Sequence, residues 1–209
     1  MKLYHGSKSK IDGVIKPCSR PECDFGQGFY MGDNKHICEA WVSDDMFEMP
    51  HIYELEVDID NINVYRFDNN RDWYLYIAKN RIYDKISKYP GLLKYLQKFD
   101  DYDLLIGTIA DDRLIYSMNE FFNGNINEKA LIACLDVFNY GLQYVAKNKK
   151  ACEKIKILSS IELDKQLREN NNKEVSHRLE SIKDVVNQVK VRYRNADSKY
   201  FDQILEEFI

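Results

Sequence analysis

Helix breakers are scarce and unevenly spread in this chain. Its four prolines all lie at or before Pro90 and its nine glycines at or before Gly141, so residues 142–209 contain neither. That absence excludes a loop-rich C-terminal segment and permits a long helical tail. Cysteine is also sparse: five residues, an odd number without a CxxC pair, exclude a disulfide framework and point to a reducing compartment. No apolar run reaches the length of a membrane span, and the opening "MKLYHGSKSK" is too polar for a signal peptide. Neither sign of charge is in excess, since 30 basic and 34 acidic residues are scattered through both halves for a net charge of −4. General attraction to nucleic acid or membrane is thereby excluded, while a local basic groove is still allowed. The resulting expectation is a soluble cytoplasmic protein without a membrane partner.

Several motifs are missing as well. There is no Ser-x-x-Lys, Gly-x-Ser-x-Gly or Walker-type loop, so acyl and phosphoryl transfer have no local support. Cys18, Cys23, His36 and Cys38 form a C-x4-C-x12-H-x-C series in which neither pair has a usual zinc spacing, and no metal is expected. "DIDNINVYRFDN" begins like a calcium loop, but Asn63 stands at the turn-glycine position and Asn69 at the bidentate glutamate position. It reads instead as a hairpin turn at Asp60, Asn61 and Ile62, joining strands "YELEVDI" and "NVYRFD".

With 209 residues, 44% of them hydrophobic, one domain can bury its own core, with or without an appendage. "KLYHGS", "YELEVDI", "YDLLIGTIADD", "GLQYVA" and "KIKILSSIEL" have strand length or strand period. Residues 72–99 have helical spacing broken at Pro90-Gly91, and "LIYSMNEFFNGNINEKALIACLDVFN" reads as helix, turn at Gly124, helix. From Asp164 to the end the pattern is helical, with Leu167, Val175, Leu179, Ile182, Val186 and Val189 along one stripe. Helices do not alternate with every strand, which favours α+β with a mixed or antiparallel sheet over a doubly wound fold.

Chemistry concentrates in "CDFGQGFYMG", residues 23–32, where three glycines and three aromatics share ten positions. Gly26 and Gly28 remove side chains at alternate positions, which suits either a bulge in a hairpin or close approach of a flat ligand beside Tyr30. His5, followed by Gly6 and Ser7, carries little weight alone, because a single histidine is more often structural. Asp111 and Asp112 end a buried strand, where they fit either a site or a helix cap. Arg20 could meet phosphates.

Taken in order, "LYHGS", "FGQGFYMGDN" with "CEAW", and "LQYVAKNKKACEKIKIL" resemble the three strand signatures of the ADP-ribosyltransferase superfamily, in its diphtheria-toxin and poly(ADP-ribose) polymerase branch. Residues 3–160 also resemble a bacterial domain of unknown function placed in that superfamily. The resemblance implies a split, mixed or antiparallel sheet with flanking helices over residues 1–163, and a C-terminal helical extension over 164–209. It implies NAD as co-substrate, cleaved at nicotinamide, with ADP-ribose passed to a protein or nucleic-acid acceptor. His5 matches the histidine that binds the adenosine ribose, Gly6 the residue whose backbone grips the carboxamide, and Tyr30 the tyrosine stacked on nicotinamide. Ser7, Gly28 and Phe29 flank these positions, and Trp41 stands near a second ring on the opposite face.

One position departs from the pattern. Gln143 stands where the family has glutamate, keeping a hydrogen bond but losing a charge that would act on the developing cation. Asp112 or Asp111 is the expected compensating carboxylate. The resemblance therefore implies a mono-ADP-ribosyltransferase, as a bacterial toxin, with a cognate antitoxin as partner, or a translocated effector. The alternatives are a catalytically quiet NAD-binding scaffold or an NAD glycohydrolase.

Overall fold

The computed structural model describes residues 1–43, 49–109, 112–137 and 141–209, the side chains of 112–114 and 174–181 excepted. Its centre is one mixed seven-stranded sheet: β1 (Lys2–Ser7), β2 (Phe29–Gly32), β3 (His51–Val57), β4 (Val64–Arg66), β5 (Leu104–Thr108), β6 (Leu142–Ala146) and β7 (Ile155–Glu162). The strands run in the order β4-β5-β6-β2-β1-β3-β7. Only β4 and β5 pair in parallel; every other neighbour is antiparallel.

The pairing is uneven. β1 and β3 share six registered positions and β2 and β6 share four, but β1 and β2 share only Tyr4 with Gly32. The sheet thus consists of two well-laddered halves joined at one rung. Beyond that rung β1 and β2 diverge, leaving backbone and side chains of both strands facing a gap.

Alternation along β5 shows why both faces are covered. Leu105 packs with Val145, Trp73, Phe121 and Phe201 on one side, whereas Leu104 and Ile106 pack with Leu3, Met31 and Leu55 on the other. The first face is roofed by helices from the middle of the chain, α2 (Arg71–Arg81), α3 (Tyr83–Ile86), α4 (Pro90–Leu96), α5 (Asp112–Phe122) and α6 (Glu128–Val137). Pro90 does not break a helix but opens α4 at its first position, where a missing N–H costs nothing. "NKKAC" supplies a single helical turn, α7 (Lys149–Cys152), capped by Asn148, in a segment the sequence pattern leaves without structure.

The expected hairpin between "YELEVDI" and "NVYRFD" does not form. Both edges of β3 are already occupied, by β1 and β7, and β4 crosses to the opposite end of the sheet to pair with β5. Asn61, at a φ of 64°, turns the chain out of β3 toward that crossing.

The C-terminal segment begins as expected: Asp164 accepts a hydrogen bond from the Leu167 N–H and caps α8 (Lys165–Tyr193). It does not stand apart from the domain. Asn171 and Asn172 donate to Ser43, Ile182 and Val186 are buried with Cys134, and Asn127 donates to the terminal Tyr193 carbonyl. After a turn, α9 (Phe201–Leu205) puts Phe201, Ile204 and Leu205 into the principal core. Val175 and Leu179 of the expected stripe lie among the side chains outside the described set.

Candidate functional site

A cleft of about 280 Å³ occupies the gap between β1 and β2. His5 and Gly6 of β1, Tyr30, Met31 and Gly32 of β2 and Gln143 of β6 form its floor, and the helix following β2, α1 (Lys35–Trp41), supplies Ile37, Cys38 and Trp41. The segment before β2 closes the rim with Ser19, Arg20, Glu22, Cys23 and Asp24, and Arg81 of α2 and Ile109 complete the lining. The lining is thus mainly apolar, with charge confined to Arg20, Glu22 and an Asp24–Arg81 pair.

The rim segment is held from several sides. Phe25 is fully buried and plugs into the core among Phe67, Tyr76 and Trp73, a burial worth roughly 1.5–3 kcal/mol. Ser19 pairs with Gly28 through its N–H (3.1 Å to the carbonyl) and its hydroxyl (3.0 Å from the amide). Lys147 donates to the carbonyls of Phe25 and Gln27. Burial pulls the Lys147 ammonium down to about 8.

His5 is oriented by two contacts. Its Nδ1 lies 2.6 Å from the Tyr30 carbonyl oxygen, an obligate acceptor, so Nδ1 carries the proton and Nε2 is left as an acceptor. Its ring stacks on Phe29 at 4.2 Å. Burial lowers the imidazole pKa, against a smaller opposing effect of the Tyr30 carbonyl, so the ring is neutral at physiological pH.

Tyr30 is fixed through its hydroxyl, which donates to the Gly26 carbonyl at 2.7 Å and accepts from the Phe25 amide at 2.9 Å. Burial, and then the nearby Asp24 charge, raise its pKa, so the phenol stays protonated and is no proton carrier near neutrality. What it offers the cleft is a ring held in one plane. Cys38, on α1, is likewise inert, its thiol pushed up to about 12 by burial.

Gln143 is buried, 7% exposed, and its Nε2 donates to Asp24 Oδ2 at 3.2 Å and to the Thr108 carbonyl at 3.1 Å. Asp24 is itself buried, 5% exposed, and its other oxygen accepts from Arg81 Nε at 2.5 Å. Among the described residues, Asp24 is therefore the carboxylate that touches Gln143. Asp111 lies outside the described residues, and Asp112 opens α5 with its side chain outside them too. Sequence reasoning missed Asp24 because no local spacing links positions 24, 81 and 143.

The expected site residues divide. His5, Gly6, Arg20, Tyr30, Trp41 and Gln143 all line the cleft, whereas Ser7, Gly28 and Phe29 do not. Phe29 supports His5 from behind. Gly28 admits Val145, whose Cγ1 would lie 2.4 Å from a Cβ at position 28, and Gly26 takes a left-handed turn at φ 71°. These two glycines serve strand approach and a turn; it is Gly6 and Gly32 whose backbone borders the cleft. At Gly6 the bare Cα lets α1 press in, since a Cβ there would sit 2.5 Å from the Cys38 carbonyl.

Among the described residues, no group of three or more His, Cys, Asp or Glu side chains is placed to hold a metal ion, and no helix is long and apolar enough to cross a membrane. No curated protein and no solved structure matches the chain. One family model does match, over residues 1–157, and it runs from β1 through β6 into the start of β7 and hence covers every residue of the cleft. The chain belongs to that family, described as a protein of unknown function (DUF3990).

Proposed function

We propose that this protein is an NAD-dependent mono-ADP-ribosyltransferase that acts on a protein or nucleic-acid acceptor. The observation that carries the reading is the convergence of His5, Tyr30 and Gln143, from three different strands, in one cleft with Trp41 and Arg20 at its rim. Small-molecule sites run from about 300 Å³ upward, so this cleft has room for one end of a dinucleotide and not for all of it. The nicotinamide and its ribose fit the apolar part of the cleft, beside the fixed ring of Tyr30 and within reach of the half-exposed Trp41. The pyrophosphate then lies toward Arg20, and neutral His5 offers Nε2 to a ribose hydroxyl.

In the reaction, the bond between the ribose C1′ and the nicotinamide nitrogen breaks, and its electron pair leaves on that nitrogen. C1′ takes on oxocarbenium character, and an oxygen or nitrogen of the acceptor attacks from the opposite face and releases its proton to solvent. The protein contributes by holding NAD bent in the seam and by presenting acceptors to the cationic ribose. A role as a toxin or effector, countered by a cognate antitoxin, follows from the resemblance on which the reading rests. Hydrolysis, with water as acceptor, is a second reading, favoured by Gln143, whose amide activates an incoming acceptor less than a carboxylate would.

Incubation with adenylate-labelled NAD and cell lysate tests these readings. Released nicotinamide with label on macromolecules supports transfer, and release without label supports hydrolysis. NAD binding without release would leave a binding scaffold, and no binding at all would refute the NAD reading.

A further inference from the structure

Gln143 has one amide group and two neighbours that can only accept. The Asp24 carboxylate and the Thr108 carbonyl both lie within 3.2 Å of the same side-chain nitrogen, and each needs an N–H. The two N–H bonds of Nε2 satisfy them both. Turning the amide over would set Oε1 against a carboxylate oxygen and a carbonyl oxygen and lose both hydrogen bonds. The orientation is therefore dictated by the neighbours: Oε1 points away from them, on a residue that lines the cleft, and takes no hydrogen bond from the protein among the described residues.

We propose that Asp24 is a positioning residue: clamped by Arg81, it fixes the Gln143 amide with Oε1 turned to the cleft and backs that oxygen with a buried negative charge. For what the oxygen accepts, a hydroxyl of the ribose next to nicotinamide, the inference rests on the NAD reading; for the orientation of the amide it does not. Asp24 accepts from Arg81 on one oxygen and from Gln143 on the other, so its charge is held close to Gln143 Nε2. Charge and acceptor, which a glutamate would combine in one side chain, are divided here between two.

The same geometry explains why residue 143 is not glutamate. A carboxylate there would face Asp24 Oδ2 and the Thr108 carbonyl with no proton between them, and like charges that close cannot both ionise freely. Adding Asp24→Asn to Gln143→Glu relieves the conflict, because the new asparagine turns its oxygen to Arg81 and its NH₂ to the new carboxylate. The double exchange keeps one negative charge and leaves only the Thr108 carbonyl without its donor.

The test compares the full chain with Gln143→Glu, Asp24→Asn and the double variant. Urea-unfolding midpoints are measured from pH 5 to pH 8 without ligand, and kcat and KM for nicotinamide release with NAD. In Gln143→Glu the introduced carboxyl, set beside Asp24, has a raised folded-state pKa, so this variant is most stable at the acid end and loses stability as pH rises; the double variant follows the wild-type profile. Asp24→Asn lowers kcat at least about tenfold with KM little changed, and the double variant recovers most of that loss. A Gln143→Glu profile parallel to wild type, or a double variant slower than both singles, overturns the proposal. Should the wild-type chain neither bind nor cleave NAD, the NAD reading fails separately, and the ligand-free pH profile of Gln143→Glu still decides the orientation of the amide.

Discussion

Gly28→Ala separates two explanations for the glycines beside Tyr30, strand packing and ligand approach. The added Cβ would lie 2.4 Å from Val145 Cγ1 and 3.1 Å from the Ala146 carbonyl oxygen. Ordinary carbon contacts begin near about 3.5 Å, so β2 or the fully buried Val145 must move by roughly an ångström. Overpacking of that kind costs about 1–3 kcal/mol, against about 0.4–1 kcal/mol returned by stiffening the unfolded chain. The expected net loss is about 1–2 kcal/mol, read as a lower urea midpoint at unchanged slope. Val145→Ala alone costs about 1.6 kcal/mol or more, because two buried methyl groups are removed at about 0.8 kcal/mol each before any cavity forms. In the double variant the new methyl enters the space that Val145 vacates, so the combined loss falls short of the sum of the two, with a coupling of about 1 kcal/mol. A Gly28→Ala protein as stable as wild type would refute the packing account and return Gly28 to the ligand.

Three further outcomes follow from the cleft. Tyr30→Phe removes the hydroxyl that pairs with Phe25 and Gly26, strands the Phe25 N–H and leaves the Gly26 carbonyl only the longer bond from Ser19 Oγ at 3.4 Å, at a cost of about 1–3 kcal/mol in urea unfolding, with nicotinamide release reduced because the ring is no longer held. Trp41→Phe changes stability by no more than about 0.5 kcal/mol, since Trp41 is half exposed, yet it abolishes fluorescence quenching by NAD, because Trp73 is fully buried in the core. His5, its pKa lowered by burial, is neutral above pH 6.5 in both folded and unfolded chains. As pH falls through 6.5 the unfolded chain takes the proton first, so stability declines from there, whereas NAD affinity holds until the lower pH at which the folded ring itself takes a proton. A decline in calorimetric NAD affinity that is already complete by pH 6.5 would contradict this assignment.

How far the sequence leads depends on the range of the interaction. β5 is legible because five consecutive buried residues need no partner to be recognised, and α8 because Asp164 and an unbroken run announce it. The β3–β4 hairpin misleads because nearness in the chain is only a tendency, overruled where both edges of β3 find better partners. His5, Tyr30 and Gln143 are visible through a resemblance in order, not through any local physics that joins them. Asp24 is invisible by either route: its role depends on Arg81 and Gln143, 57 and 119 positions away, and on Phe25 next to it being driven into the core. "CDFGQGFYMG" thus carries its site residues at Cys23, Asp24, Tyr30, Met31 and Gly32, while its central glycines shape the turn and admit β6.

The single rung between Tyr4 and Gly32 has a mechanical consequence. A continuous ladder shares load across its strands, whereas here the two half-sheets transmit force across one line of backbone contact and the side chains around it. A ligand lodged in that line touches Gly6 on one half and Tyr30 on the other, and so stitches together parts that the backbone alone barely joins. Occupancy and cohesion are then one equilibrium: amide protons at the facing edges of β1 and β2 exchange more slowly when the seam is filled, and the protein resists unfolding in proportion to how tightly it is stitched.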